Sequence, residues 1–217
     1  MKEERYVRAF GWSALTPFYD PVLRGLMRES VLKGALLAQA RIEAGHRILD
    51  VGCGTGTLLL LAKESCPETL LAGLDPDPAI LTIARRKALR AGVSVSLVRG
   101  DAVRLPHPDG AFDRVLTSFM LHHLTSEEKL RALGEARRVL RPGGELHVLD
   151  FGRPRGPLAV AASLLLRFAE RPRDNLEGLL PDMLRRAGLA EVEEPRSFGT
   201  LFGTVTLVRG TRRAGAV

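Results

Sequence analysis

Three acidic residues stand at the ends of short apolar runs in this sequence, and a glycine loop follows the first of them. Asp50 precedes the loop Gly52-Cys53-Gly54-Thr55-Gly56, and Asp75 and Asp101 follow the next two runs. The carboxyl ends of parallel strands meet at one edge of a sheet, where glycines let the backbone approach a ligand at a helix N-terminus. Singly, such acids are often only solvated and such glycines only form turns. Their coincidence at three successive strand ends predicts a binding site for a polar small molecule.

The spacing of the glycines distinguishes between the classes of ligand that can bind at such an edge. Dinucleotide-binding proteins carry G-x-G-x-x-G, whereas residues 50–56 read D-x-G-x-G-x-G, and the carboxylate is unfavourable beside a pyrophosphate. Asp75 is placed to accept two hydrogen bonds from a ribose diol. Asp101 is placed to accept one from an exocyclic amine such as adenine N6, with the backbone N–H of Ala102 facing a ring nitrogen. The pattern indicates a nucleoside without a pyrophosphate.

Two adjacent histidines, His122 and His123, follow the fourth apolar run and are the candidates for proton transfer. Histidine has an unperturbed pKa of about 6.5, which suits a general base near neutral pH. Adjacent residues cannot face one cleft equally, and the structural alternative is that one of them caps or packs the following turn. His107 and His147 are weaker candidates, because one lies in a proline-rich loop and the other inside a strand.

The hydrophobic periodicity alternates between strand and helix patterns over the middle of the chain. Strands are expected at 48–51, 70–74, 93–98, 112–118 and 145–151, and helices at 58–64, 78–90 and 126–140. The last helix begins Ser-Glu-Glu, which suits an N-cap at Ser126, and Asp77 suits the N-cap of the helix before it. Strands that alternate with helices form a parallel sheet that is covered on both faces.

Beyond this alternating region, helices are expected over 22–40, 158–168 and 176–187. The segments 191–198 and 204–209 have strand composition and lie too close together for a helical crossover, so they are predicted to pair as an antiparallel hairpin. The expected fold class is α/β, a doubly wound, mostly parallel seven-stranded sheet with a C-terminal antiparallel hairpin.

Length and composition predict one folded domain. The chain has 217 residues, 45% of them hydrophobic and 26% charged, and no linker divides it. We expect a single domain over 1–217, with an N-terminal helical cap (1–40), a cofactor-binding core (41–151), and substrate-side helices with the closing hairpin (152–217).

Charge and cysteine content narrow the classes of partner. The formal net charge is +7, but only five of the 32 basic residues are Lys and no compact basic run occurs, which does not favour nucleic acid. Cys53 and Cys66 are too few for a disulfide framework or a four-ligand zinc site, so no metal is expected. No apolar run approaches the roughly 18 residues that span a bilayer, and no secretory signal is evident, so a cytoplasmic location is expected.

Four motifs together resemble those of class I S-adenosylmethionine-dependent methyltransferases. They are ILDVGCGTG (48–56), GLDPD (73–77), RGDA (99–102) and RVLRPGG (138–144). The resemblance covers about residues 41–151 and implies a Rossmann-like methyltransferase fold, with S-adenosyl-L-methionine as cofactor and S-adenosyl-L-homocysteine as product. Phe18-Tyr19-Asp20 and Leu-His-His-Leu (121–124) are similar to the ubiquinone and menaquinone biosynthesis (UbiE-like) methyltransferases.

The resemblance also implies roles for individual residues. Asp50 would orient the amino group of the cofactor, the glycine loop would pack against its methionine part, and Asp75 would hold its ribose. Tyr19 would close over the cofactor, although an aromatic anchor for the N-terminal helix is an equal alternative. The cofactor-binding residues implied are Tyr19, Asp50, Gly52, Cys53, Gly54, Asp75, Pro76, Ile80, Asp101, Ala102, Ser118 and Phe119. In the loop, Cys53 is expected to be a small spacer and not a nucleophile.

The sequence restricts the class of methyl acceptor less than it restricts the cofactor. Enzymes of this fold that methylate amino groups of nucleic acids carry an Asn/Asp-Pro-Pro-aromatic turn after strand four, where this chain has Thr117-Ser118-Phe119-Met120. The apolar segment 157–168 is either a buried core helix or part of a pocket for a small hydrophobic, lipid-like or quinone-like acceptor. Contact with a membrane surface is a weaker expectation. The alternative functions are a non-catalytic S-adenosylmethionine-binding sensor or partner subunit, and a nicotinamide dehydrogenase.

Overall fold

The computed structural model describes residues 29–156, 159–160, 173–200 and 203–214. Tyr19, the first part of the segment 22–40 and most of the segment 158–168 lie outside the described residues. Within the described part of the chain, no helix is long and apolar enough to cross a membrane.

Strands and helices alternate from Arg47 to Phe151, as the periodicity predicts. The strands are β1 (Arg47–Val51), β2 (Leu70–Asp75), β3 (Ser96–Arg99), β4 (Phe112–Ser118), β5 (Leu140–Phe151), β6 (Ala190–Thr200) and β7 (Gly203–Thr211). The helices are α1 (Glu29–Ala40), α2 (Thr57–Ser65), α3 (Pro78–Arg90), α4 (Ser126–Val139), α5 (Arg173–Leu176) and α6 (Leu180–Arg186), with a 3-10 turn at Leu121–His123.

The strands of the described residues form one sheet in the order β3-β2-β1-β4-β5-β7-β6. The first five strands pair in parallel, whereas β7 pairs antiparallel with both β5 and β6. The predicted fold class, including the closing hairpin, is confirmed. The strand order reverses between β1 and β4, and open α/β sheets bind their ligands beside the carboxyl ends of the strands at such a point.

Helices cover both faces of the sheet, and each face has its own apolar cluster. Leu36 of α1 and Leu58 of α2 belong to one cluster, and Leu133 of α4 and Leu184 of α6 belong to the other. Adjacent residues of β1 divide between the two clusters, because successive side chains of a strand point to opposite faces. The carboxyl ends of the parallel strands therefore rise from a rigid three-layer core.

The observed N-cap residue is the predicted one at α3 but not at α4. Asp77 is the N-cap of α3, and its Oδ1 accepts from the backbone N–H of Ala79 at 2.8 Å. The N-cap of α4 is Thr125, one residue before the predicted Ser126. Thr125 Oγ1 accepts from the N–H of Glu128 at 3.3 Å, and Glu128 Oε2 accepts from the N–H of Thr125 at 2.7 Å. This reciprocal capping box satisfies two N–H groups, which a cap at Ser126 would not.

Two predicted elements differ in extent from those observed. The strand predicted over 93–98 is shorter, because Val93 N–H donates to the carbonyl of Ala88 and so continues the end of α3. Only Ser96–Arg99 pairs with β2. The strand predicted over 145–151 is longer and begins at Leu140, which pairs with β4.

The prediction of a single helix over 176–187 is also wrong, because this part of the chain contains two helices, α5 and α6, with a break between them. Gly178 lies between them with a φ of +78°, a left-handed conformation that ends a helix and that glycine adopts without strain. The apolar periodicity continues through the break, which is why the two helices read as one in the sequence.

Arg138 on α4 joins that helix to the loop 101–110 between β3 and β4. Its guanidinium donates to both carboxylate oxygens of Glu135 at 2.7 and 2.8 Å, to Asp109 Oδ1 at 2.7 Å, and to the carbonyl of Leu105 at 3.0 Å. Glu135 Oε2 also accepts from the N–H of Leu105 at 2.8 Å. The loop that follows β3 is therefore fixed to α4.

Arg138→Ala is expected to lower the free energy of unfolding by about 1 to 2 kcal/mol, because it removes several charge-assisted hydrogen bonds at a partly exposed site. Arg131→Ala is the matched control on the same helix, where an exposed Arg131 pairs with Glu127. It is expected to cost less than about 0.5 kcal/mol. Urea unfolding followed by circular dichroism measures both variants, and equal losses would contradict the role given to Arg138.

Candidate functional site

The carboxylate of Asp50 lies on β1 just before the glycine loop, and it is only 1% exposed. Among the described residues, neither of its oxygens has a hydrogen-bond partner. Burial raises the pKa of Asp50 to about 7, the charge of Lys33 on α1 opposes this rise, and the charge of Asp75 adds to it. A buried carboxylate without a partner is costly unless a cation meets it. The site therefore fits a ligand that brings a positive charge to Asp50, as the α-ammonium of S-adenosylmethionine would.

The glycine loop is held to the end of β2 by its own backbone. The N–H groups of Gly52 and Cys53 both donate to the carbonyl of Leu74, at 2.8 and 2.9 Å, and that of Gly54 donates to Asp75 Oδ2 at 3.0 Å. All three N–H groups are thus used inside the protein, whereas a pyrophosphate site requires such groups for the ligand.

Gly52 also allows the turn after β4 to lie directly over the loop. Its φ is +72°, and a Cβ at this position would lie 2.5 Å from Cγ of Met120. No larger residue fits without moving Met120. The carboxyl ends of β1 and β4 are therefore in contact at the switch point of the sheet.

Asp75, the predicted ribose ligand, ends β2 beside the loop. Its Oδ1 accepts from the N–H of Asp77 and its Oδ2 from the N–H of Gly54, both at 3.0 Å. Each carboxylate oxygen has a second lone pair, so Asp75 retains the capacity to accept from a diol. Burial raises the pKa of Asp75, while these two backbone N–H groups oppose the rise.

An open cleft of about 560 Å³ lies beside Asp75, between the ends of β2 and β3. Its volume is within the roughly 300 to 1,000 Å³ of small-molecule sites. Two predicted cofactor-binding residues, Pro76 and Asp101, line it, whereas Ala102 packs in the core and Ile80 is half-buried on the first turn of α3. The full lining is Pro76, Asp77, Pro78, Ala79, Arg99, Gly100 and Asp101.

The turn after β4 combines an unusual backbone conformation with aromatic packing. Phe119 follows the half-buried Ser118 with a φ of +53°, which is rare for a large side chain and is typical of functional sites. Its N–H donates to the carbonyl of Leu149 at 2.8 Å, and its ring meets that of Phe151 edge-on with 5.8 Å between centroids. The predicted residues Ser118 and Phe119 thus lie at an apolar wall beside the glycine loop.

The structure separates the two candidate histidines. His122 is buried, and its Nδ1 lies 2.7 Å from Asp150 Oδ1, whereas His123 is exposed beside it with 4.1 Å between ring centroids. The ring of His122 also meets Phe151 edge-on at 4.9 Å. His122 is therefore held in one orientation, as a residue that positions or deprotonates a ligand must be.

Asp150 at the end of β5 fixes the tautomer of His122. Burial alone would raise the pKa of Asp150, but the charge and hydrogen bond of His122 and the N–H of Phe151 hold it below its ordinary value. Asp150 Oδ2 also accepts from the N–H of Leu121 at 2.8 Å. An ionised carboxylate only accepts hydrogen bonds, so Nδ1 of His122 donates to Asp150, and Nε2 is the nitrogen that can take up or release a proton.

Cys53 behaves as a buried spacer. Its side chain is 5% exposed and packs against Gly73 of β2, where a Cβ would lie 2.9 Å from Cys53 Sγ. Burial first, and then the charges of Asp50 and Asp75, raise the pKa of its thiol. A nucleophilic cysteine requires the opposite shift, so Cys53 stays a neutral thiol. Within the described residues, no group of three His, Cys, Asp or Glu side chains could hold a metal ion.

The sequence does not identify three residues of the site. Asp150 also stands at the carboxyl end of a parallel strand, so the rule that found Asp75 applies to it equally. Met120 belongs to the turn after β4, but only the structure shows it over Gly52. Lys33 is an isolated charge within an apolar helix face, a pattern that does not distinguish a ligand-binding group from a paired one.

Comparison with known proteins agrees with the motifs. Residues 48–144 match a family model described as a methyltransferase domain. A demethylmenaquinone methyltransferase of Thermus thermophilus is 43% identical over 145 residues, which are 66% of this chain and 65% of that protein. The ubiquinone/menaquinone biosynthesis C-methyltransferase of Bordetella avium is 38% identical over 143 residues, which are 65% of this chain and 54% of that protein. The matches therefore span less than two thirds of these relatives.

Solved structures show the same fold at lower identity. The YcgJ protein of Bacillus subtilis has a TM-score of 0.69 and 22% identity, covering 86% of this chain and all of that one. The apo form of the S-adenosylmethionine-dependent methyltransferase SibL has a TM-score of 0.73 and 24% identity, covering 95% of this chain and 61% of that one.

The affinity for S-adenosylhomocysteine is expected to rise with pH, because Asp50 must ionise to meet the ligand's ammonium group. Below its pKa of about 7, affinity should increase about tenfold per pH unit, and it should level off above that value. Asp50→Asn should bind at least about tenfold more weakly at pH 7.5, with no such rise. Calorimetric titration from pH 5.5 to 7.5 measures both, and a flat wild-type profile would contradict this account.

Proposed function

We propose that the protein transfers a methyl group from S-adenosylmethionine to a small molecule, because residues 48–144 match a family model described as a methyltransferase domain. The observation that carries the proposal is the Asp50 carboxylate beside the glycine loop, which is buried and has no hydrogen-bond partner among the described residues. Asp75 and Asp101 follow at the next two strand ends. In that order along the sheet edge, the three acids fit the ammonium group, the ribose and the adenine of this cofactor.

The chain contributes mainly orientation and exclusion of water. When bound, S-adenosylmethionine supplies an electrophilic methyl group on a sulfonium sulfur. Asp50 holds the ammonium group of its methionine part and Asp75 holds its ribose, and Met120 covers the glycine loop from the side of β4. Holding two reactants in line can contribute on the order of 7 to 11 kcal/mol, so the protein needs little further chemistry when the acceptor is already nucleophilic.

His122 is the residue that we assign to the acceptor. Because Asp150 holds the hydrogen on Nδ1, Nε2 of His122 can accept a proton from a hydroxyl group of the acceptor or orient it by a hydrogen bond. His123 is exposed and takes no part in this proton transfer. Tyr19, which the family resemblance places over the cofactor, stays a prediction.

The acceptor that fits best is an aromatic ring with a hydroxyl group, such as a reduced quinone. Phe119 and Phe151 give the site an apolar wall, and His122 gives it one polar group, a combination that suits a ring of this kind. The relatives from Thermus thermophilus and Bordetella avium bear the names of menaquinone and ubiquinone methyltransferases.

The cytoplasm remains the expected compartment.

Calorimetric titration tests the cofactor. The wild type is expected to bind S-adenosylhomocysteine and not NAD, and Asp75→Asn should bind the former at least about tenfold more weakly, because a charge-assisted contact to the ribose is lost. Asp182→Asn is the matched control, since Asp182 is exposed on α6 and pairs with Arg185. Failure of the wild type to bind S-adenosylhomocysteine would overturn the proposal.

Formation of S-adenosylhomocysteine from S-adenosylmethionine and a short-chain demethylmenaquinol tests the reaction. His122→Asn is expected to lower kcat by roughly 100-fold or more and to leave the affinity for S-adenosylhomocysteine nearly unchanged, whereas His123→Asn should retain most activity. Asp150→Asn should also lower kcat, because the tautomer of His122 is no longer fixed. Intact cofactor binding with no turnover of any quinol would favour a non-catalytic binding protein, and equal losses in both histidine variants would contradict the assignment.

A further inference from the structure

Asn175 lies on the short helix α5, and its side chain is completely buried. Among the described residues, neither Oδ1 nor Nδ2 of this side chain has a hydrogen-bond partner. The end of α5 uses only the backbone of Asn175, whose carbonyl accepts from the N–H of Gly178 at 3.0 Å. A buried amide side chain that caps no helix and joins no elements is costly, so its hydrogen-bonding capacity calls for another explanation.

The residue before Asn175 fixes α5 to the start of α4. The carboxylate oxygens of Asp174 accept from Ser126 Oγ at 2.9 and 2.8 Å, and Oδ2 also accepts from Nζ of the buried Lys129 at 3.0 Å. Burial would raise the pKa of Asp174, but the bonds from Lys129 and Ser126 hold it below its ordinary value. Ser126 begins α4 directly after the turn that contains His122. An ion pair therefore holds α5 close to this turn.

The residues after Asn175 lie beside the carboxyl end of β5. A Cβ on Gly178 would lie 3.3 Å from Cβ of Arg153, which is two residues past the end of that strand. The helix α5 packs against β5 and against the 3-10 turn Leu121–His123. His122 joins these two elements, because it lies on the turn and bonds to β5. Asn175 thus belongs to the part of the structure where the turn and the strand meet.

This placement assigns Asn175 to the acceptor side of the site. Phe151 of β5 and His122 of the turn form the wall and the polar group that we assign to the acceptor. The acids that fit the ribose and adenine, Asp75 and Asp101, follow β2 and β3, on the other side of β1 in the sheet. The buried amide therefore serves the methyl acceptor and not the nucleoside.

An amide side chain suits a group that both donates and accepts hydrogen bonds. The nitrogen Nδ2 only donates and Oδ1 only accepts, and a hydroxyl group can meet both. The acceptor that we propose, a reduced quinone, has two hydroxyl groups, and His122 binds one of them. The other also needs a partner, because a hydroxyl group buried without one is costly.

We propose that Asn175 binds the second hydroxyl group of the methyl acceptor, while His122 binds the first. Asn175 is thus an acceptor-binding residue that lies outside residues 48–144, which match the methyltransferase domain. It favours an aromatic ring with two hydroxyl groups over the oxidised quinone, which has no hydrogen to donate to Oδ1. The inference rests on the proposed function and deepens it.

Steady-state kinetics with S-adenosylmethionine and a short-chain demethylmenaquinol compare the wild type, Asn175→Leu and the control Gln39→Leu. Gln39 is a matched control, because its Nε2 is also buried with no partner in the part of the chain that the structure describes. Its Oε1 lies 3.4 Å from Nδ1 of His147. It lies on α1, which covers the opposite face of the sheet from α4.

Asn175→Leu is expected to raise KM for the quinol about tenfold or more and to leave the affinity for S-adenosylhomocysteine unchanged. Its midpoint of urea unfolding should stay or rise, because an unpaired polar group leaves the interior. Gln39→Leu should keep the wild-type KM. An unchanged KM in Asn175→Leu contradicts the proposal. Equal losses for the quinol and for S-adenosylhomocysteine also contradict it, since they indicate a structural role.

A measurement on the wild type keeps the proposal testable where Asn175→Leu does not fold. Asn175 is the only asparagine in the sequence, so ¹⁵N labelling of asparagine gives one pair of side-chain amide signals in the NMR spectrum. In protein saturated with S-adenosylhomocysteine, the pair should shift on addition of the quinol. It should stay in place with an analogue that lacks both hydroxyl groups, at concentrations where this analogue inhibits turnover.

The same response of the amide signals to both compounds, or to neither, contradicts the proposal. Failure of the wild type to bind S-adenosylhomocysteine, or to convert the quinol, would instead overturn the proposed function, on which the inference rests.

Discussion

The burial of Asp50, which has no hydrogen-bond partner in the part of the chain that the structure describes, is the constraint on which the candidate site depends. A carboxylate in that position is stable in its ionised form only when a cation meets it. The glycine loop follows Asp50 directly, and the N–H groups of Gly52, Cys53 and Gly54 are bonded to β2. Asp75 and the cleft beside it continue the same edge towards β3. Sheet topology brings these features together, because β1 lies at the switch point.

Two buried acids, at the carboxyl ends of β1 and β5, show how the same residue type serves two purposes. Asp150 accepts from His122, Leu121 and Phe151, and its pKa is lowered, so it stabilises the fold above its unfolded pKa and loses that contribution as pH falls. The pKa of Asp50 is shifted in the opposite direction, because burial raises it. Its stabilising contribution is complete below the unfolded value of 3.8 and is lost as pH rises through about 7. The partnered acid fixes a side chain, whereas the unpartnered acid costs stability that a cationic ligand restores.

Sequence reasoning succeeded where short-range patterns determine the structure. The glycine loop, the strand-end acids and the hairpin all follow from residues close together in the chain, and so does the cap at Asp77. It failed where one specific hydrogen bond, one backbone conformation or a partner distant in the chain decides the outcome. Thr125 caps α4 through a reciprocal bond to Glu128 that a cap at Ser126 cannot make, and the φ of Gly178 breaks a continuous apolar pattern. The roles of Asp150 and Lys33 depend on the elements packed against them, so the neighbouring sequence does not predict these roles.

The titration of Asp50 itself tests the central claim most directly. In protein labelled with ¹³C at the aspartate carboxyl carbon, the signal that Asp50→Asn removes should titrate with a pKa of about 7 in the free protein. Addition of S-adenosylhomocysteine should lower that pKa by at least about one unit, because the ligand's ammonium group favours the ionised carboxylate. A pKa near the ordinary 3.8 in the free protein, or one that the ligand leaves unchanged, would contradict the account.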